Sequence, residues 1–348
     1  MFEAFAPLRL CLFAEPATVL RGGTVHLEGV LANEEALPAG DYPVRLQVVG
    51  PGFERLLERT VTVTVPPDTA TAEAPLALPF FAEDLVVDAP PGRYRFLATL
   101  ERGGAATGGA TEFYADDLTT LPPVETAVVL WGDDPDLSRW LTERGIAARP
   151  FAADASAATR QVILVGTAAA PGGAAAWRGL AERLARGDTA IFLSPGVFRD
   201  GDNPVAWLPV ARKGAITPIF GWLYLKDEWA KAHPIFAGLP AGGLLDYTFY
   251  REIIPDLVFA GQDPPQEAVA GAIKASQDYA SGLLLSVNDI GAGRFVLNTL
   301  LIRENLGRHP VAERLLRNLI RYAGRDAGQP LAALPPDFAK QLTEMGYP

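Results

Sequence analysis

The chain has 348 residues, 49% of them hydrophobic and 20% charged, which gives room for two domains with their own cores and excludes a disordered protein. Its formal net charge of −11 argues against a nucleic-acid partner, because a phosphate-tracking surface needs clustered Lys and Arg. The single cysteine, Cys11, excludes an intrachain disulfide and a thiolate metal site.

At the N-terminus, Glu3 comes early, no basic residues precede the apolar stretch, and Arg9 interrupts it, unlike a secretory signal. No apolar run approaches the roughly 20 residues that span a bilayer. The expectation is a soluble chain without a membrane partner, with the cytoplasm favoured.

Residues 1–117 alternate apolar and polar positions in short runs. Strands are expected at 8–14, 24–32, 43–49, 56–65, 84–88, 93–101 and 109–115, with turn signals between them such as RGG (21–23), GPG (50–52) and APPG (89–92). Seven strands at this spacing point to an immunoglobulin-like β-sandwich. Within PPGRYRFLATLE (90–101), a Pro-Gly turn leads to Tyr94 as at a tyrosine corner, and PAGDYPVRLQVVG (38–50) repeats the phrase with Tyr42. Cys11, in LRLCLFAE (8–15), reads as a small apolar filler of a half-buried strand.

The rhythm changes at Leu121-Pro122-Pro123, within a linker over 118–124. Over 125–325, strands at 126–131, 146–150, 161–166, 189–194, 267–274, 280–287 and 293–299 alternate with helices at 135–144, 174–186 and 310–323. The pattern predicts a doubly wound, flavodoxin-like α/β sheet. Pro310 in the first turn after His309, with Glu313 three residues on, marks the start of the last helix. A long insert over 197–266 is rich in aromatics and Pro, as lids and binding surfaces are. The tail, 326–348, should pack a short helix.

In such a sheet, ligands bind beyond the carboxyl ends of the strands, at the switch in strand order. That crevice would be lined by Asp133, Asp134, Thr167 and Ser194. Asp133 and Asp134 have the chemistry of an acid–base pair or metal ligands; the simpler reading is that Asp134 caps the helix starting at Pro135 while Asp133 is solvated. FLSPG (192–196) resembles a nucleophile elbow at Ser194, but Phe192 stands where Gly is needed and Pro195 lacks the N–H that an oxyanion hole uses. His26, His233 and His309 have no metal-ligand spacing, and GTAAAPGG (166–173) lacks the Lys-Ser/Thr of a phosphate loop, so neither metal nor cofactor is expected.

The insert gathers Trp222, Tyr224, Trp229, Tyr247 and Tyr250 near Asp227, Glu228, Asp246, Arg251 and Glu252. Aromatic faces beside carboxylates suit sugar rings; alternatively these aromatics glue the insert to the sheet.

The residues also carry a resemblance. LRLCLFAEPATVLRGGTVHLEGVLANEEALPAGDYPVRLQVVGP (8–51) and PPGRYRFLATLERGG (90–104) resemble the immunoglobulin-like region that follows the catalytic barrel in some bacterial glycoside hydrolase family 2 proteins. HPIFAGLP (233–240) and GAGRFVLNTLLIRENLGRHPVAERLLRNLIRYA (291–323) are similar to the α/β region closing those proteins. That region in turn resembles class I glutamine amidotransferase domains and the trimerisation domain of family 42 β-galactosidases. Family 2 catalysis uses paired glutamates on a (β/α)₈ barrel, which needs about 250 residues, so neither module can be that barrel. Amidotransferase chemistry needs a cysteine at the elbow and a His–Glu pair, and Cys11 lies in the wrong module. The resemblance thus implies a non-catalytic accessory or assembly part of a family 2-like glycosidase, partnered by a catalytic barrel or by its own copies. A free-standing carbohydrate-binding module and a hydrolase using acids of the insert stand as alternatives.

Overall fold

Alternating apolar residues build the first eight strands, which run β1 (Leu8–Glu15), β2 (Thr18–Leu20), β3 (Thr24–Asn33), β4 (Gly40–Val49), β5 (Arg55–Val65), β6 (Ala77–Val86), β7 (Gly92–Leu100) and β8 (Gly109–Asp116). The computed structural model describes residues 6–34, 36–68, 75–102, 108–152, 158–219, 226–275 and 278–347. It divides into two units, Met1–Leu121 with Arg308–Pro310, and Pro122–Gly307 with Val311–Pro348.

In the first unit one sheet has the order β1-β3-β6 and the other β2-β8-β7-β4-β5. Their apolar faces meet in one core that includes Val25, Leu27, Val44, Leu46, Tyr94, Phe96 and Phe113, a sandwich-like, β-rich arrangement. β6 starts well before the expected strand at 84–88. Its Pro79 obscures the pattern in sequence but is tolerated because β6 is an edge strand, with a register shift opposite Gly29 and Val30. Short β2 lay below the reach of periodicity. Cys11 is partly buried in β1.

Both tyrosine phrases make the same corner. Tyr94 donates its hydroxyl to the Pro90 carbonyl (2.6 Å) and Tyr42 to that of Pro38 (2.8 Å), four residues back in each case. The Tyr94 ring is fully buried against Phe113, with ring centroids 5.3 Å apart, and burial pushes the phenol up to about 12. Tyr94→Phe removes the hydroxyl, leaving the Pro90 carbonyl unbonded, and should cost about 0.5–1.5 kcal/mol, read as a lower denaturant midpoint by circular dichroism.

The second unit begins with β9 (Val128–Trp131), α1 (Pro135–Glu143), β10 (Ala148–Pro150), β11 (Val162–Val165), α2 (Ala174–Ala185) and β12 (Thr189–Phe192). The insert supplies β13 (Ala215–Pro218), β14 (Asp227–Ala230), β15 (Gly243–Leu244), α3 (Tyr247–Tyr250) and β16 (Leu257–Ala260). Then follow β17 (Glu267–Ala275), β18 (Tyr279–Ile290), β19 (Gly293–Asn298), α4 (Pro310–Ala323) and α5 (Phe338–Glu344). The sheet path is β10-β9-β11-β12-β19-β18-β17-β14-β15, with β16 pairing β18 and β13 pairing β16.

β10, β9, β11, β12 and β19 are mutually parallel, and every residue of β11 and β12 is buried, as in sheets covered on both faces. α1 and α4 share a core with Val128, Val162 and Leu164, whereas α2 and α5 share one with Val129, Ile163 and Val165. Successive strand residues point to opposite faces, so the two helix pairs cover opposite sides. Rings of Trp131, Trp177, Phe192 and Phe198 cluster in the second core, with centroids as close as 4.7 Å.

The sheet is not doubly wound throughout, because β17 and β18 run antiparallel to their neighbours. Only 276–278 separate β17 from β18, and only Gly291-Ala292 separate β18 from β19. A parallel crossover needs a dozen or more residues, so these connections force hairpins. The insert is likewise not a plain loop; its strands β14, β15 and β16 extend the sheet. No described helix is long and apolar enough to cross a membrane.

Candidate functional site

The crevice beyond the parallel strands is occupied by the protein's own bonds. Asp134 caps α1, accepting from the Leu137 N–H (2.9 Å), and Pro135 fills the first helical position. Its Oδ2 also accepts from the Thr167 N–H (3.2 Å) and Arg303 Nε (2.8 Å), and Oδ1 accepts from Arg303 Nη2. Burial opposes the charged form of Asp134, but Arg303 and the two backbone donors outweigh it and hold the carboxyl below its ordinary range. Gly166 packs so tightly on this carboxylate that a Cβ there would collide with it. Asp133 and Thr167 side chains are exposed, and Asp133 makes no second arm of an acid–base pair with the saturated Asp134. Arg303 was not singled out in the sequence, where nothing local marks it.

Ser194 has ordinary extended backbone (φ −136°, ψ 132°), without the strain of a nucleophile elbow, and its Oγ accepts from the Gly196 N–H (3.3 Å) to cap the turn Pro195–Phe198. Ser194→Ala should therefore change stability by no more than about 1 kcal/mol, and a fluorophosphonate should not label the protein. Mass-spectrometric detection of an adduct on Ser194 would refute that assignment.

His233 and Glu267 do form a pair (2.9 Å), but both imidazole nitrogens are engaged, since Nδ1 accepts from the Ile235 N–H at 3.2 Å. Tyr322 donates to the other oxygen of Glu267 at 2.5 Å. The cluster ties α4 and β17 to the turn Pro234–Phe236. Among the described residues, no three His, Cys, Asp or Glu side chains are grouped to hold a metal ion.

The structure disperses the aromatic and acidic residues expected to line the insert. Trp222 and Tyr224 lie outside the described residues. Tyr250 is buried, packs on Phe236 and Phe249, and donates to the Pro240 carbonyl (2.7 Å), so it is glue and not a platform. Asp246 caps α3 through the Thr248 and Phe249 N–H groups, Tyr247 is exposed, and Arg251 is half-buried beside Glu252 (3.7 Å). Asp227 and Glu228 are neighbours on β14 and point to opposite faces: Asp227 is exposed and Glu228 is buried. Burial raises the Glu228 carboxyl above its ordinary range, and its closest cation, Lys226, stands 3.7 Å away and is bonded to Asp256 (2.7 Å) and the Pro255 carbonyl.

Trp229 borders a groove, about 360 Å³ in volume, over β14, β17 and β18. Its indole lies across Gly271, with Cζ2 only 2.7 Å from where a Cβ would stand, so the close approach requires glycine. Tyr279, Ile273 and Leu283 complete the apolar lining, and Ser281, Gln262 and Asp263 bring polar groups. Tyr279, Gln262 and Asp263 were not anticipated, because an isolated Tyr in a polar stretch looks the same in sequence whether buried or exposed.

No family model and no curated protein matches the chain. Similar solved structures include the CARDB domain of a Pyrococcus furiosus protein in complex with di-metal ions, at 14% identity and TM-score 0.22, covering 32% of this chain and 87% of that one. Trypsin-activated α-2-macroglobulin from Escherichia coli is 19% identical at TM-score 0.23, over 36% of this chain and 8% of that one. A mutant β-glucosidase from Listeria innocua in complex with laminaribiose is 12% identical at TM-score 0.22, over 31% and 16%. Likenesses this slight carry no functional argument.

Proposed function

We propose that the chain is a non-catalytic accessory or assembly part of a family 2-like glycoside hydrolase system, built from an immunoglobulin-like sandwich and a flavodoxin-like, amidotransferase-related unit. The paired tyrosine corners support the first assignment. The parallel order β10-β9-β11-β12-β19 supports the second, since it is the 2-1-3-4-5 order of flavodoxin-like sheets. The observation that carries the functional reading is the saturation of Asp134: the carboxylate best placed at the switch point spends its oxygens on two backbone N–H groups and Arg303. Glycoside hydrolysis needs two carboxyls about 5–9.5 Å apart across one bond, whereas Asp227 and Glu228 face opposite sides of a strand and Asp246 is a cap.

The test is an assay of the isolated chain on a panel of aryl-glycosides, together with a titration against a purified family 2 catalytic barrel. No turnover and measurable binding to the barrel are expected. Turnover abolished by Asp227→Ala or Glu252→Ala would overturn the reading.

A further inference from the structure

The groove beside Trp229 is not isolated. A second groove, about 340 Å³, shares Asp263 and Pro264 with it as a common wall. This second groove runs from Pro209 past Asp289 at the end of β18 and Gly291 in the turn after it to Gln341 and Glu344 in α5. Each has the volume of a ligand cleft, roughly 300–1,000 Å³.

The two halves differ in chemistry. At one end Tyr279 is 70% exposed and Trp229 is partly exposed, so ring surface remains in water where a ligand face would cover it. Toward the other end stand the carboxylates of Asp289 and Glu344, beside Gln341, whose amide donates to Asp337 (3.2 Å). The shared wall is preorganised. Asp263 accepts from the Arg212 N–H (2.8 Å), and Gln262 donates to the carbonyls of Lys213 and Ala215 (2.9 Å each).

We infer that the two grooves form one track for a linear, uncharged oligosaccharide, whose rings stack on Trp229 and Tyr279 and whose hydroxyls donate to Asp289 and Glu344. This rests on the carbohydrate-associated reading above and adds to it a binding site and a ligand class. Sugar rings offer C–H faces to the aromatics and hydroxyl donors to carboxylates. A polyanionic chain would meet the carboxylates of Asp263, Asp289 and Glu344 in a protein of net charge −11, with Arg212 (3.7 Å from Asp263) and Lys340 (3.6 Å from Glu344) offsetting only part of that charge. A protein partner fits less well, since interface cores are depleted of charged residues and here Asp263 stands mid-track.

The full chain is titrated calorimetrically with cellobiose and cellohexaose, the corresponding β-1,4-linked xylose and mannose oligomers, and hexagalacturonate. At least one neutral hexamer should bind about tenfold or more tightly than its dimer, and hexagalacturonate should not bind. Trp229→Ala and Tyr279→Ala should each weaken the hexamer about tenfold, a loss of about 1.4 kcal/mol. Asp289→Ala and Glu344→Ala should each weaken the hexamer more than the dimer, with wild-type melting temperatures for these two surface variants. Equal dimer and hexamer affinities would overturn the continuous track, and binding indifferent to Trp229→Ala, or none, would overturn the site. Dimerisation in sedimentation abolished by Tyr279→Ala would overturn it by making the face a self-interface. These outcomes are read from binding and association alone, so they stand apart from the aryl-glycoside and barrel tests of the accessory reading.

Discussion

Glu313→Ala should destabilise the second unit by about 3–5 kcal/mol, the cost of stranding buried charges without their partner. Glu313 is fully buried and accepts from Trp140 Nε1 (2.8 Å), Arg144 Nη2 (2.9 Å), Arg144 Nε (3.1 Å) and the Gly307 N–H (3.0 Å). Arg317 lies close enough to feel both Glu313 and Arg144; burial, opposed by Glu313, holds its guanidinium below its ordinary range. Removing the carboxylate leaves the Arg144 and Arg317 guanidiniums without its charge and the Trp140 indole N–H unbonded. All six tryptophans lie beyond residue 121, so tryptophan emission during urea unfolding reports this unit alone. Glu313→Gln should cost less, because an acceptor remains. A double change, Glu313→Leu with Arg144→Met, should recover part of the loss, as replacing a buried ion pair by apolar groups often does. A shift in Glu313→Ala of under about 1 kcal/mol would mean the network contributes little.

Asp134→Ala should cost about 2–3 kcal/mol, combining a lost helix cap with a mostly buried Arg303 left with only Asp136 (3.3 Å) as its acidic partner. Two backbone donors, at Leu137 and Thr167, lose their acceptor as well. Because the folded carboxyl titrates below the unfolded one, the unfolded chain binds the proton more readily. The stabilisation is therefore complete above the unfolded value near pH 4 and is lost as pH falls through the depressed folded value. Urea midpoints of wild type and variant should converge in that acid window and diverge above it. Asp134→Asn, which keeps a capping oxygen, should retain part of the stability and lose the acid dependence. A variant whose midpoint tracks the wild type at neutral pH would remove the structural role assigned to Asp134 and reopen the crevice to chemistry.

The residue sequence by itself determined the change from β to α/β architecture around Leu121, the two tyrosine corners, the Asp134 cap and the extent of α4, whose expected and observed bounds coincide at 310–323. Each is encoded within about ten residues by hydrophobic period, Pro and Gly placement or a capping side chain, so no distant partner is needed to read it. The antiparallel β17–β18–β19 segment instead reads in sequence as part of a doubly wound sheet, although its connections are too short for a crossover. Tertiary structure alone decided which polar residues are spent and which are free. Glu313, in the first turn of α4, meets Trp140 across 173 positions, and Arg303 reaches Asp134 across 169. Trp229, Gln262, Tyr279 and Gln341 come from separate elements, and the grooves they line exist only because the insert's strands extend the sheet and α5 packs beside it. Local pattern sets the direction of a side chain, whereas its partners are set by packing between elements far apart in the chain, and this is where Tyr250 became glue and Trp229 a surface.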